Sequence, residues 1–343
     1  MTAIVILIVS AIVSGVGVGL IRRHAIQRQI IDFPNERSSH STPTPRGGGL
    51  SIVIVVLIGT LALAISANVP WNVAGAIIVG GFVALIGYID DRGDLSPLTR
   101  GIAHLVSAIV GLALLGGMPT LDLGFTVLEW GLLGHVVGVV GIVWMTNLYN
   151  FMDGIDGLAA SEAVFVFGVG GILLASSGLT GLALLCALTV GSSIGFLRWN
   201  WPPAKIFMGD VGSGFLGYLI AIVAIASGNQ GFSLWVWLIL VAAFFVDATV
   251  TLIRRVLRGE KWYSAHRSHA YQHLTQNWGS HLKVTLTVIA LNLLWLGGLA
   301  TLATIEPSWT LGIVTVALLP LIVLAIMLRA GKEIPIYAAK PTR

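Results

Sequence analysis

The stretch 147–158 concentrates polar side chains that can bind a ligand, in a chain that is otherwise strongly apolar. It reads N-L-Y-N-F-M-D-G-I-D-G-L and places Asn147, Asn150, Asp153 and Asp156 at intervals of three. Carboxylate and carboxamide groups between two apolar runs favour a functional role, because burying them in a membrane is costly. The stretch therefore predicts a site that binds a polar ligand.

The backbone of this stretch must leave the helix if all four side chains are to reach one ligand. In a continuous α-helix each step of three residues rotates the side chain by about −60°, so the first and last positions face different directions. Gly154 and Gly157 permit such a break. An ordinary Asn- and Gly-rich turn between helices would explain the two glycines, but not two asparagines at the end of an apolar run.

A pair of adjacent acids, Asp90 and Asp91, ends an earlier apolar run. Neighbouring carboxylates repel and shift each other's titration, so the pair favours a nearby cation or a proton-transfer task. A turn at the end of a helix is the alternative, and for Asp94 it is at least as good an explanation.

Two further loops carry polar residues for which a structural role is the stronger explanation when each loop is taken alone. Asp210 precedes an apolar run and could merely cap that helix, although phosphates also bind well at such a positive end. Residues 32–49 contain Arg46 next to three glycines. This pattern indicates either an ordered turn with free backbone amides or a basic loop at an anionic membrane surface.

The segment 266–274, H-R-S-H-A-Y-Q-H-L, follows a basic run. Its histidines suggest zinc, but soft ligands are missing and the acids elsewhere favour a hard, oxygen-loving ion. Arg267 and His269 are better interpreted as phosphate or sugar contacts, because arginine supplies a planar fork of donors. For His266, His273 and His281 we predict solvated positions in a basic loop.

The elements that hold these loops are predicted membrane spans, since 56% of the 343 residues are hydrophobic and only 10% are charged. A helix needs ~20 apolar residues to cross a bilayer, and we count about eleven such runs. Their continuity excludes the alternating pattern of a β-barrel. The sequence predicts an all-α polytopic membrane protein with one domain over 1–343. The runs lie at 3–21, 48–66, 71–89, 101–118, 130–147, 158–177, 180–197, 212–228, 233–253, 283–304 and 309–328.

Basic residues predict the orientation of these spans. If every run crosses the membrane, all 19 Lys and Arg residues fall on one face together with the polar loops. Positive loops mark the cytoplasmic side, so the N-terminus is predicted outside, and five loops and the tail 329–343 inside. The net charge of +4 therefore needs no nucleic acid partner. A single cysteine, Cys186, excludes an internal disulfide and a cysteine zinc site.

Taken together, four motifs resemble the polyprenyl-phosphate N-acetylhexosamine-1-phosphate transferase superfamily, and most closely its bacterial O-antigen-initiating branch. They are D-D-R-G-D, N-L-Y-N-F-M-D-G-I-D-G-L, K-I-F-M-G-D-V-G-S and H-R-S-H, in this order between the spans, and the likeness covers about Asp32 to Lys283. It implies transfer of an N-acetylhexosamine-1-phosphate from a UDP-sugar to undecaprenyl phosphate, with release of UMP. It also implies a Mg²⁺ cofactor, with Mn²⁺ as an alternative, a location in the bacterial inner membrane, and contact with membrane lipids. A homodimer is a candidate assembly.

The resemblance also implies roles for individual residues. Asp210 and Asn150 match metal ligands, and Phe207 matches an aromatic side chain that stacks on uracil. The candidate catalytic acids are Asp90, Asp91, Asp153 and Asp156. The candidate substrate-binding residues are Phe207, Arg267, His269, Arg100, Lys205 and Arg46.

The donor sugar and one rival function stay open at this point. Many relatives have His-x-His-His where this chain has His269-Ala270-Tyr271-Gln272. The change is compatible with a 6-deoxy donor, UDP-N-acetylfucosamine or UDP-N-acetylquinovosamine, instead of UDP-N-acetylglucosamine. An ion-coupled transporter is the rival, but transporters place ionisable residues near the membrane midplane. Here nearly all the acids lie outside the runs or near their ends. The carboxylate of Asp247 lies inside a run, where packing or support of the site explains it better.

Overall fold

The computed structural model describes residues 1–34, 42–93, 95–260 and 266–333. Helices make up most of this part of the chain, as the apolar runs require. They are α1 (Thr2–Gln27), α2 (Leu50–Ile65), α3 (Trp71–Asp90), α4 (Pro97–Leu114), α5 (Gly131–Phe151), α6 (Leu158–Ser176), α7 (Thr180–Asn200), α8 (Asp210–Gly228), α9 (Leu234–Leu240), α10 (Ala242–Leu257), α11 (Ala270–Trp278), α12 (His281–Leu291), α13 (Gly297–Ile305) and α14 (Thr310–Met327).

The predicted all-α, polytopic membrane architecture is confirmed. Within the described residues, 9 helical segments are long and apolar enough to cross a membrane, or 10 if the bent pair α9–α10 counts as one span. The tenth predicted run of the sequence is continuous through a π-helical turn, Asn292–Leu296, that joins α12 to α13. The second run forms α2, whose 16 residues give a length of about 24 Å, short of a ~30 Å hydrocarbon core.

One apolar run does not form the single straight span expected from the sequence. The run 233–253 is bent by 79° between α9 and α10. Val241, at the break, has φ −94° and ψ 8°, outside the regular helical range. The bend occurs without a glycine or proline in the run, so the sequence carried no local signal for it.

Helix α8 forms the centre of the bundle and packs against α3 and α5. Its residues from Val211 to Ser227 are all buried. Glycines allow the neighbouring backbones to come close: Gly80 of α3 lies against the ring of Tyr218, and Gly217 lies against Tyr149 of α5. This packing holds the ends of α3, α5 and α8 side by side.

Two short antiparallel strand pairs complete the described part. β1 (Ile31–Asp32) pairs with β2 (Thr44–Pro45), between α1 and α2. β3 (Leu121–Asp122) pairs with β4 (Val127–Leu128), between α4 and α5. The Pro45 carbonyl of β2 accepts the Phe207 N–H just before α8 (2.8 Å), whereas the Asp122 carbonyl of β3 accepts from Trp235 Nε1 after the end of α8 (2.7 Å). The two pairs therefore lie at opposite ends of this central helix. The first pair lies at the end where the polar loops meet.

Candidate active site

Residues from five separate connections line one cavity of about 210 Å³ at this end of the bundle. They come from β1 and the residue after β2, the end of α3, the α5–α6 turn, the α7–α8 loop, and the starts of α11 and α12. Seven of the predicted site residues line it: Arg46, Asp91, Asn150, Asp153, Asp156, Phe207 and Asp210.

The predicted helix break between α5 and α6 is confirmed. α5 ends at Phe151 and α6 begins at Leu158. Gly157 precedes α6 with φ +75°, in the left-handed region that glycine adopts without strain. The break turns Asn150, Asp153 and Asp156 toward the cavity, whereas the Asn147 amide donates to the Val143 carbonyl of its own helix (2.7 Å).

Asp91 joins the end of α3 to the start of α8. Its carboxylate accepts the N–H groups of Asp210 (3.0 Å) and Val211 (3.3 Å), which no residue within α8 can satisfy. Gly87 makes this possible, because a Cβ at that position would collide with the backbone of Asp210. Burial raises the pKa of Asp91 to about 6, against the lowering effect of these hydrogen bonds and of Arg46.

Asp90 points to a different partner. Its carboxylate accepts hydrogen bonds from Arg100 Nη1 (2.6 Å) and from the Leu95 N–H (2.7 Å). The same Arg100 nitrogen lies 3.5 Å from Asp210 Oδ2. Arg100 does not line the cavity, but it connects two acids of the site and offsets part of their charge.

The two predicted metal ligands both line the cavity. They are held close together by a hydrogen bond in which Asn150 Nδ2 donates to Ser213 Oγ (3.0 Å), one turn into α8 from Asp210. The start of α8 and the end of α5 therefore present one carboxylate and one carboxamide at the same place.

Asp153 and Asp156 complete a concentration of negative charge around the cavity. Burial raises the pKa of Asp153 well above its ordinary value, and the carboxylates of Asp210, Asp91 and Asp156 raise it further. Asp156 is better compensated, since it accepts the Ala204 N–H (3.0 Å) and pairs with His281 Nδ1 (3.2 Å). Crowded acids of this kind are relieved by a cation.

The donor set fits a hard divalent cation that is shared with a ligand. Within 1–34, 42–93, 95–260 and 266–333, no three His, Cys, Asp or Glu side chains are arranged to hold a metal ion by themselves. Mg²⁺ prefers oxygen ligands, keeps several waters, and is usually held by one or two carboxylates together with substrate phosphates. One carboxylate and one carboxamide oxygen, from Asp210 and Asn150, match that requirement.

Comparison with known proteins identifies the family. Residues 73–228 match the profile of glycosyl transferase family 4. The chain is 32% identical to a Bacillus subtilis probable undecaprenyl-phosphate N-acetylglucosaminyl 1-phosphate transferase, over 78% of this chain and 76% of that protein. The chain belongs to glycosyl transferase family 4. The predicted superfamily, the polyprenyl-phosphate hexosamine-1-phosphate transferases, is thereby confirmed.

Two more relatives of this family 4 protein have names that differ in the sugar transferred. A Mycobacterium tuberculosis decaprenyl-phosphate N-acetylglucosaminephosphotransferase is 32% identical, over 84% of this chain and 78% of that protein. A Bacillus mycoides phospho-N-acetylmuramoyl-pentapeptide-transferase is 29% identical, over 75% of this chain and 82% of that protein. The names share a phosphosugar transfer but differ in the sugar transferred.

The remaining predicted site residues of the family 4 protein lie outside the cavity wall. His269 is buried, and its Nδ1 lies 3.3 Å from Asp247 Oδ1. Arg267 Nε is buried and has no hydrogen-bond partner among the residues that the structure describes. Lys205 follows the cis peptide bond between Pro202 and Pro203, and its backbone carbonyl accepts from Arg22 Nε (3.1 Å). Asp94 lies outside the described residues.

Sequence reasoning missed four polar side chains of the cavity: Asp32, Asn200, Gln272 and His281. The prediction of a solvated His281 is wrong, because the ring pairs with Asp156 at the start of α12. His273 is also buried, with Nε2 2.9 Å from the Lys332 carbonyl oxygen, so the solvated position predicted for it is wrong too. His266 Nδ1 lies 2.8 Å from Ser268 Oγ.

Proposed function

We propose that this protein transfers an N-acetylhexosamine-1-phosphate from a UDP-sugar to undecaprenyl phosphate, with release of UMP. The observation that carries the proposal is the single cavity that collects Asn150, Asp153 and Asp156 with Phe207 and Asp210 from two different connections. An aromatic ring, oxygen ligands for a cation and a concentration of acids are the parts that a nucleotide-diphosphate donor requires. The names of the relatives support the same reaction.

The nucleotide end of the donor is assigned to the wall formed by Phe207 and Arg46. The Phe207 N–H donates to the Pro45 carbonyl (2.8 Å), so β2 fixes the backbone that carries the ring. An aromatic face at this point can stack on uracil. The Arg46 guanidinium, on the same strand end, offers donors for phosphate oxygens.

Asp210 and Asn150 would hold Mg²⁺, with Mn²⁺ as an alternative. When bound there, the ion would offset charge on the diphosphate oxygens and on the leaving UMP. The protein contributes the placement: Asp91 fixes the first turn of α8, and Ser213 fixes the Asn150 amide. Arg100 adds a second positive charge near Asp210.

The acceptor needs little activation by the protein. A phosphate monoester has a second pKa of about 6 and is mostly dianionic at neutral pH. One of its oxygens attacks the sugar-bearing phosphorus, a new P–O bond forms, and the P–O bond to UMP breaks with its electron pair. The Asp90 carboxylate, paired with Arg100, orients the acceptor side rather than acting as a strong base.

The cellular setting is part of the proposal. The basic loops support a position of the cavity at the cytoplasmic face of a bacterial inner membrane, where UDP-sugars are present. The lipid-linked product would start an O-antigen or another cell-envelope polysaccharide. For the donor we propose a UDP-N-acetylhexosamine, with UDP-N-acetylglucosamine and the two 6-deoxy sugars as the candidates to compare. A transporter is disfavoured because the cavity acids gather at one end of the bundle.

Purified protein should be incubated with undecaprenyl phosphate and each of UDP-N-acetylglucosamine, UDP-N-acetylfucosamine and UDP-N-acetylquinovosamine. We expect UMP release that depends on the lipid, matches the lipid-linked product in amount, and stops when EDTA removes the metal. The absence of UMP with all three donors, in protein that is folded and supplied with Mg²⁺, would refute the proposal.

A further inference from the structure

Asp247 is a buried carboxylate that the proposed reaction leaves unused. It lies in α10, six residues beyond the Val241 bend, and is only 7% exposed. A carboxylate in the membrane-spanning part of a chain is costly unless it is fully hydrogen-bonded. The groups that surround it therefore indicate why the chain carries an acid there.

Most of the partners of Asp247 come from the start of α11. Its Oδ1 accepts the Ala270 N–H at 2.8 Å and lies 3.3 Å from His269 Nδ1, and its Oδ2 accepts the Tyr271 N–H at 3.0 Å. The Thr251 hydroxyl, one turn along α10, also donates to Oδ1 (3.2 Å). The carboxylate thus binds two of the backbone donors that the first turn of a helix leaves free.

The first turn of α11 in turn contacts the candidate active site. The Tyr271 hydroxyl donates to the Phe151 carbonyl at the end of α5 (3.1 Å) and lies so close to Gly154 that a Cβ there would collide with it. Gln272, the next residue, lines the cavity. The contacts run without a gap from Asp247 to the turn that carries Asp153.

We propose that Asp247 is a positioning residue: it fixes the first turn of α11, and through it Gln272 and the α5–α6 turn, for binding of the sugar-nucleotide donor. Capping of α11 alone does not account for a carboxylate at position 247. α11 already has a capping box, in which the Gln272 side chain accepts the His269 N–H (3.1 Å). The link to donor binding rests on the proposed function, whereas the anchoring of α11 does not.

The test compares Asp247→Ala with Thr249→Val. Thr249 is on the same helix and accepts a hydrogen bond from Trp144 Nε1 of α5 (3.2 Å), so its variant also loses one contact between helices, away from α11. Two quantities are measured for each protein: hydrogen–deuterium exchange of the peptide covering α11, and kcat and KM for the UDP-sugar and for undecaprenyl phosphate separately.

For Asp247→Ala we expect faster exchange in α11 and a donor kcat/KM lower by on the order of 10²-fold, the effect of a small misplacement of a binding group. The acceptor KM should stay at the wild-type value, because the acceptor does not depend on Gln272. Asp247→Asn keeps one acceptor oxygen, so its exchange rate in α11 and its donor kcat/KM should lie between those of Asp247→Ala and the wild type. Thr249→Val should match the wild type in both quantities. If Asp247→Ala is not recovered folded, Asp247→Asn is judged by the same criteria.

Three outcomes would overturn the inference. The first is faster exchange in α11 with unchanged donor kinetics, and the second is lost activity with wild-type exchange. The third is a rise in KM for the donor and the acceptor alike, since that is the mark of an unspecific structural defect. If the wild type releases no UMP at all, the proposed function fails instead, and the exchange measurement still decides whether Asp247 anchors α11.

Discussion

At the scale of single residues, the metal assignment depends on Asp210 and Asn150. Asp210→Asn and Asn150→Ala should each lower the rate of UMP release by on the order of 10²-fold or more, since several kcal/mol of transition-state stabilisation depend on the cation. Asp210→Asn should not lower the thermal stability of the metal-free protein, because it removes repulsion with Asp91 and Asp153.

A nearby asparagine provides the control for these two variants. Asn147 belongs to the same motif, but its amide bonds to its own helix and it does not line the cavity. Asn147→Ala should therefore keep the wild-type rate within a few-fold across a Mg²⁺ titration. Wild-type Mg²⁺ dependence in Asp210→Asn and Asn150→Ala would exclude both residues as ligands.

His273 gives a prediction for the dependence of stability on pH. Burial is the main reason that its pKa is lowered below the ordinary value of 6.5. Between that lowered pKa and 6.5 the unfolded chain binds a proton that the folded chain does not, so the free energy of unfolding decreases as the pH falls below about 6.5. Lowering the pH from about 7.5 to 5.5 should therefore reduce the Tm of the wild type more than that of His273→Gln. The glutamine amide can still donate to the Lys332 carbonyl. Equal losses of Tm in the two proteins would contradict this assignment.

At the scale of elements, the close contact of α3 with α8 at Gly87 places Asp90 and Asp91 beside Asp210. Gly87→Ala should cost about 1–3 kcal/mol of stability, because the added methyl group must push the start of α8 away. The resulting shift of Asp210 relative to Asp90 and Asp91 should lower kcat on the order of 10²-fold. Gly141→Ala in α5 is the matched control, since a Cβ there meets no atom within 4 Å in the described part. Similar activity in the two variants would show that this close approach is not needed.

The helices and the break at Gly157 could be predicted from the sequence because each follows from a local property. Apolar runs of span length define the helices, and the α5–α6 break is set by glycine next to polar residues. The 79° bend between α9 and α10 could not be predicted, since no glycine or proline marks it and tertiary packing sets it.

The sequence indicated residues that line the cavity where a motif was dense, and it missed those that arrive singly from distant connections. Asn150, Asp153 and Asp156 lie within seven consecutive residues and could be recognised together. Gln272 and His281 reach the cavity only because α11 and α12 pack beside the α5–α6 turn, and neither residue differs locally from an ordinary loop or helix-start residue. Their roles follow from long-range packing, which a sequence pattern does not contain.

At the scale of the whole molecule, the distribution of positive charge and the position of the cavity predict the orientation in the membrane. The cavity lies at the end of the bundle that carries β1 and β2, and the β3–β4 pair belongs to the opposite end. Lys and Arg are expected on the cytoplasmic side of a membrane protein. The 210 Å³ cavity would then open where a soluble sugar nucleotide can reach it and where the head group of a lipid phosphate lies in the same plane.

This orientation can be measured by labelling of single cysteines. Cys186 is buried in α7 and is first replaced by alanine, which leaves a chain without other cysteines. Phe125→Cys is placed in the exposed β3–β4 turn, and Arg28→Cys after the end of α1. In spheroplasts, a maleimide that does not cross membranes should label position 125 readily. Position 28 should be labelled only after the membrane is permeabilised. The reverse pattern would place the cavity on the outer face, away from cytoplasmic UDP-sugars, and would contradict the proposed reaction as well as the orientation.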